Sequence, residues 1–543
     1  MPDDRLVHAM ADRYAAAGGD AGELGQASAT LAALAGTIRR YVSGADDRGA
    51  PAGPMDAQPA SRAPRGGHAR PAGEMPAPRE RTVSSAPHDL GIRACAARIE
   101  RGELSPVELT EHFLDRIERL DPQLRSYARV TADLARDQAR QARDEIRSGR
   151  YRGPLHGIPL ALKDIIDTAG IATEAGSRLL RGRIPATDAA VWSRLREAGA
   201  VLLGKLHTHE FASGGPGRVS DGPYDFQALN PWNPRRYAGG SSNGAASAVA
   251  GGLCMGAVGT DTGGSIRIPA SYCGVAGFKP GFGNVDTAGI LPLSETLDHC
   301  GPLAWTADDA ALLYDGMRAA SAPRAPDAGD ARPRGMRIAY VRHFGIEAGA
   351  AAPVLRAVDA AAGRLRALGA RVEEIALPPL ALFTAVNSTL FLAEAYAVHE
   401  ASLRRAADLY SMHCKARLFL GGCLSAADYI RAQQARRRLI AETAARMDGF
   451  DALVCVSTPG AAPDAQRAAD ETQKFFFLQA PVPCAPFNLL GAPAISICCG
   501  LDEDRMPLAL QIAAPPGGDT AVLRVAAALE AALPPRPRPP GYA

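Results

Sequence analysis

Short apolar runs alternating with amphipathic helical patterns predict an α/β fold with a largely parallel central sheet over residues 86–543. Apolar runs of strand length recur at 158–162, 200–206, 336–341, 371–377, 452–456, 494–500 and 508–514. Helical patterns such as 188–199 and 352–369 separate them, and no repeat of fixed period interrupts the alternation. The chain has 543 residues and is 47% hydrophobic, enough to bury a large core without disulfides or structural metals.

Taken in order, residues 1–43 read as a helical N-terminal extension. Leu6, Met10 and Tyr14 recur every four residues in a first helix, and a second continues beyond a Gly-Gly break. Residues 44–85 are dense in Pro, Gly, Ala and Arg and poor in large apolar groups, so they are expected to form a flexible linker. The main domain begins near Ala86. Ser105, Pro106 and Glu108 spell a helix start with a cap, a first-turn proline and a reciprocal acid. A long charged helix is expected over 132–148.

Composition excludes several functions. A net charge of +2 gives no reason to expect nucleic acid or an anionic membrane as a partner. The ten cysteines form no C-x-x-C pair and sit mostly in apolar runs, as reduced thiols of a cytoplasmic protein would. The N-terminus has no apolar core of the signal-peptide kind. The apolar stretch 245–259 is too short and too rich in Gly and Ala to span a bilayer. His207, His209 and Glu210 cluster in "LHTHEF", but an H-x-H pair alone is weak evidence of a metal, and they are read as structural. His299 and His413, each followed by cysteine, are read as packing residues.

The chemistry starts with lysine. Only five lysines occur, at 163, 205, 279, 415 and 474, and arginine supplies the other basic residues. Arginine stays protonated, whereas a buried lysine can lose its proton and act as a base. Lys163 directly follows the apolar run 158–162 and so leaves the end of a buried strand. The competing reading is an ordinary strand-end lysine that reaches solvent or pairs with Asp164 or Asp167, and codon usage alone could make lysine scarce. Ser241 and Ser242 follow Gly239-Gly240, and Ser265 follows Gly263-Gly264. Glycines permit tight turns that leave N–H groups facing outward, as an oxyanion hole requires. A pair of tight turns packed near a sheet would look the same.

The segment "GGSSNGAASAVAGGLCMGAVGTDTGGSIRIPASYCGVAGFKP" resembles the signature of the amidase signature family. Weaker similarity runs from about Leu90 to the C-terminus, through "GPLHGIPLALKDIIDTAG" and "APFNLLGAPAISICCG". The resemblance implies one large domain with a mixed, mostly parallel sheet flanked by helices on both faces. It implies amide hydrolysis without metal or organic cofactor, through an acyl-enzyme. Residue by residue, it assigns Ser265 as nucleophile, Ser241 as the bridging serine after a cis peptide bond, and Lys163 as general base. Thr262, Gly263, Gly264 and Ser265 would donate the oxyanion-hole N–H groups, and Ser242, Asp261 and Arg267 would orient the loop.

Two positions depart from the pattern. Asn243 stands where Gly or Ser is usual and Ala245 where Ser is usual, so Asn243 is expected to reshape the helix start or touch substrate. Segment 209–234 differs from that of the A-type components of tRNA-dependent amidotransferases, which favours a stand-alone amidase acting on a small amide, either alone or as a homodimer. A further reading takes "GSSNG" as the nucleophile elbow of an α/β-hydrolase with Ser242 as nucleophile, but no strand precedes it. A non-catalytic scaffold with a helical docking module is disfavoured because all three matched catalytic positions are intact. The acyl group of the substrate has no readable code in the sequence.

Overall fold

The computed structural model describes residues 4–44, 86–213, 215, 227–326, 333–470, 478 and 481–542. Among the described residues eleven strands form one sheet: β1 (Tyr127–Val130), β2 (Pro159–Lys163), β3 (Val201–Leu206), β4 (Gly256–Asp261), β5 (Ala276–Lys279), β6 (His299–Ala304), β7 (Arg337–Tyr340), β8 (Arg371–Glu374), β9 (Ala452–Val456), β10 (Ala494–Leu501) and β11 (Pro507–Ala513). Their spatial order is β1-β3-β2-β4-β6-β5-β10-β11-β9-β7-β8.

The sheet is mixed, as expected, but not mostly parallel. Parallel pairs occupy two wings, β3-β2-β4 and β9-β7-β8. The centre and the β1 edge are antiparallel, so six of the ten strand pairings are antiparallel. Strand–helix alternation signals a parallel crossover only where a helix joins neighbouring strands. At the centre β10 and β11 are joined by a short hairpin, which makes them antiparallel.

Strands β2, β3, β4 and β6 are buried along their whole length, the pattern of a sheet covered on both faces. The edge strands β1 and β8 are largely exposed and carry Arg129, Arg371, Glu373 and Glu374. Ser105 and Glu108 form the expected capping box on the helix Pro106–Leu124. The expected charged helix occupies Ala132–Arg147.

The N-terminal helices span Asp4–Ala16 and Ala21–Ser43. They pack on the helices Leu380–Ala406, Met412–Gly421 and Ala426–Arg446, and bury Met10, Tyr14, Leu24 and Leu31 in the same apolar cluster as the sheet. The expected linker lies at 45–85, outside the described residues. Among the described residues one stretch, Leu380–Leu409, is long and apolar enough to cross a membrane by length and composition. Most of it is buried inside the fold, as in a core helix.

Candidate active site

Strands β2 and β4 run parallel as neighbours, with Leu162 in register with Val258. Lys163, the last residue of β2, is therefore level with Gly259 and beside Thr260 at the carboxyl end of β4. Ligand sites of α/β folds commonly lie at such strand ends. Lys163 is 0% exposed; its Nζ donates to Ser241 Oγ at 2.7 Å and to Thr260 Oγ1 at 2.8 Å. Burial lowers its pKa to about 7, against the opposing pull of Asp261, Asp298 and Cys300.

Ser241 follows a cis peptide bond from Gly240. Its carbonyl accepts from His209 N at 3.1 Å, and Ser242 N donates to Ser265 O at 3.1 Å, which joins the two serine loops through their main chains. Ser241 and Ser265 line one cavity of about 540 Å³, together with Thr262 and Gly263. Ser265 Oγ makes no hydrogen bond among the described residues and stands open to that cavity.

The N–H groups of Thr262, Gly263 and Ser265 also have no acceptor among the described residues. Gly264, expected to join them, differs: its N–H donates to Asp261 Oδ1 at 2.7 Å and so holds the loop. Gly264 has φ +128°, and a Cβ there would come within 2.7 Å of Ile268 and 2.9 Å of Cys484, so the position accepts only glycine.

Asp261 organises the turn. Besides Gly264, it accepts from Ile266 N at 3.0 Å and from Arg267 Nε at 3.0 Å. Burial pushes the Asp261 carboxyl up, but the Arg267 guanidinium, Lys279 and Asn488 outweigh it and hold the group below the usual carboxylate range. Arg267 is fully buried and also donates to Cys484 O, Gln511 Oε1 and Asn488 Oδ1. Asn488 completes the cluster by donating to Asp261 O at 2.8 Å.

Ser242 lies behind the site. It is 0% exposed, and its Oγ donates to Thr260 O at 3.2 Å and accepts from Thr260 N at 3.3 Å. That placement removes the elbow reading, because Ser242 does not line the cavity. Asn243 opens the helix Asn243–Ala250 and its Oδ1 accepts from Gly244 N at 2.7 Å, so it shapes the helix start and does not line the cavity. Ala245 is buried within that helix.

His209, Tyr237, Asn488 and Asp298 carry no local sequence signal of a site role. His209 Nε2 and Tyr237 OH lie 3.0 Å apart, and both line the cavity. A Cβ on Gly240 would fall 2.0 Å from the His209 ring, which explains the glycine before Ser241. Asp298 accepts from Thr262 Oγ1 at 2.6 Å and fixes the first residue of the donor loop. Glu210 accepts from Ser177 Oγ and Ser411 N. Among the described residues, no three His, Cys, Asp or Glu side chains group as metal ligands.

A family model described as Amidase matches residues 108–523. The chain belongs to the amidase family. The A component of the glutamyl-tRNA(Gln) amidotransferase of Chloroflexus aurantiacus is 36% identical to this amidase over 478 residues, 81% of this chain and 95% of that protein. The native peptide amidase of Stenotrophomonas maltophilia superposes with a TM-score of 0.70 at 30% identity, covering 83% of this chain and 98% of that one. The A component of the glutamyl-tRNA(Gln) amidotransferase of Thermotoga maritima gives 0.69 at 27% identity, with 84% and 99% covered. The N-terminal helix pair of this amidase lies before the matched region.

Proposed function

We propose that Lys163, Ser241 and Ser265 form a proton relay that hydrolyses a small amide through an acyl-enzyme on Ser265. The observation that carries this reading is the sealed Lys163–Ser241 contact beside the cavity into which Ser265 opens. Neutral Lys163 takes the Ser241 hydroxyl proton, and Ser241 takes that of Ser265 as Ser265 Oγ attacks the amide carbon. The N–H groups of Thr262, Gly263 and Ser265 hold the resulting oxyanion. The relay returns a proton to the leaving nitrogen, the C–N bond breaks and ammonia or an amine departs. Water then cleaves the acyl ester by the same route, and every proton moves between groups of this chain, substrate and water.

The walls point to an anionic substrate. Arg417 lines the cavity, as does Arg467, an exposed residue, while no carboxylate does so among the described residues. Two cations on a largely apolar wall favour an amide that carries a carboxylate. The ten cysteines are free, nine of them buried, which supports a reducing, cytoplasmic setting.

A second reading, the A-type component of a tRNA-dependent amidotransferase, is favoured by the 36% identity to such proteins. Its glutamine carries an α-ammonium group, for which the described walls offer no carboxylate. Ammonia release from succinamate, butyramide and glutamine by the purified chain separates the readings, with Ser265→Ala as blank. The proposal expects succinamate to exceed butyramide at least tenfold in kcat/KM. Preference for butyramide contradicts the anionic substrate, and turnover of glutamine only with tRNA and partner proteins supports the second reading.

A further inference from the structure

The ten-residue helix Met412–Gly421 stands between the N-terminal helix pair and the cavity, and shows a different set of side chains to each. Met412, Lys415 and Phe419 follow the spacing of one helix face, and all three meet the first N-terminal helix or the turn that ends it. Tyr14 OH donates to Met412 Sδ at 3.3 Å, Lys415 Nζ donates to Ala17 O, and the Tyr14 and Phe419 rings lie 5.7 Å apart. His413 and Arg417, four residues apart, lie on another face beside Gly215. Arg417 Nη1 donates to Ser213 O at 2.8 Å, and Arg417 lines the cavity.

A helix this short has little stability of its own, so packing sets its position. One end is tied to the loop of His209, since Ser411 N donates to Glu210 Oε2 at 2.7 Å. The N-terminal pair is in turn anchored on the next helix: Arg438 Nη1 donates to Tyr41 O at 2.6 Å, and Arg39 pairs with Asp428 at 3.4 Å.

We propose that the N-terminal helix pair is a positioning element for the substrate cavity, acting through Lys415 on the helix that carries Arg417. Lys415 is a positioning residue: it touches the N-terminal turn, and Arg417 touches the ligand. This rests on the reading of Arg417 as the cation that meets an anionic amide.

The test uses the full chain and fluorophosphonate labelling of Ser265, slowed by added succinamate or butyramide. In Lys415→Met, half-protection should need at least fivefold more succinamate, with the unprotected labelling rate and butyramide protection within twofold of wild type. Lys415→Arg should restore succinamate protection. Tyr14→Phe, which loses only the hydroxyl on Met412, should shift protection the same way by twofold or more and serves if Lys415→Met does not fold. Wild-type succinamate protection in both Lys415→Met and Tyr14→Phe overturns the inference, as does equal loss of labelling and protection, which marks a merely structural role. Arg417→Met, which removes the charge, tests the underlying reading separately: if it keeps wild-type succinamate protection, the anionic reading of the cavity fails and this inference fails with it.

Discussion

Lys163 Nζ lies 2.7 Å from Ser241 Oγ, with the lysine 0% and the serine 2% exposed. An amine sealed beside a hydroxyl loses its proton more readily than one in water, and burial here brings its pKa to about 7. The same pair should therefore make both the rate and the stability of the enzyme depend on pH.

The rate should follow the neutral amine. kcat/KM for the best amide should rise about tenfold per pH unit below pH 7 and level off above it, because only deprotonated Lys163 accepts a proton. Lys163→Arg, which stays protonated, should lose at least about a thousandfold in kcat/KM and the pH dependence with it. Steady-state kinetics from pH 5.5 to 9 checks both.

Stability should carry the same signature. The folded-state pKa of about 7 lies below the ordinary 10.5, so between these values the unfolded chain binds a proton that the folded chain does not. Stability therefore rises with pH across that window, by about 1.4 kcal/mol per unit from this group. The difference in unfolding free energy between wild type and Lys163→Met should climb at that slope between about pH 7.5 and 10, as denaturant titrations would show.

The buried Asp261–Arg267 pair, 2.9 Å apart and 0% exposed on both sides, should be costly to break from one side. Asp261→Asn leaves the Arg267 charge without its carboxylate and should destabilise by about 3–5 kcal/mol. Because the same carboxylate holds Gly264 and Ile266, activity should fall in the fraction that still folds. Calorimetry with active-site titration separates the two effects.

Gly240→Ala should displace Ser241, because the added methyl overlaps the His209 ring. Activity should drop at least a hundredfold with the fold retained. Adding His209→Ala should recover part of it, a non-additive pair readable from a double-mutant cycle.

Much of this site was legible before the fold. Lys163 stood out because an apolar run delivers it and arginine replaces lysine almost everywhere else. The twin Gly-Gly-Ser turns marked both serines. Strands β4, β5 and β6 escaped notice because glycine, alanine and Pro302 give them neither β-branched enrichment nor alternation. Asn488 and Gln511 reach Arg267 from more than 200 residues away, a juxtaposition no local pattern encodes. The resemblance places Gly264 among the oxyanion-hole donors, but its N–H donates to Asp261 Oδ1, a partner set by where the folded chain points that carboxylate.

The most direct test of the relay is the pH dependence of fluorophosphonate labelling, with the modified peptide mapped. A single adduct on Ser265 is expected, formed about ten times faster for each pH unit up to about 7. An adduct on Ser242, or a labelling rate that stays flat through that range, would contradict the relay.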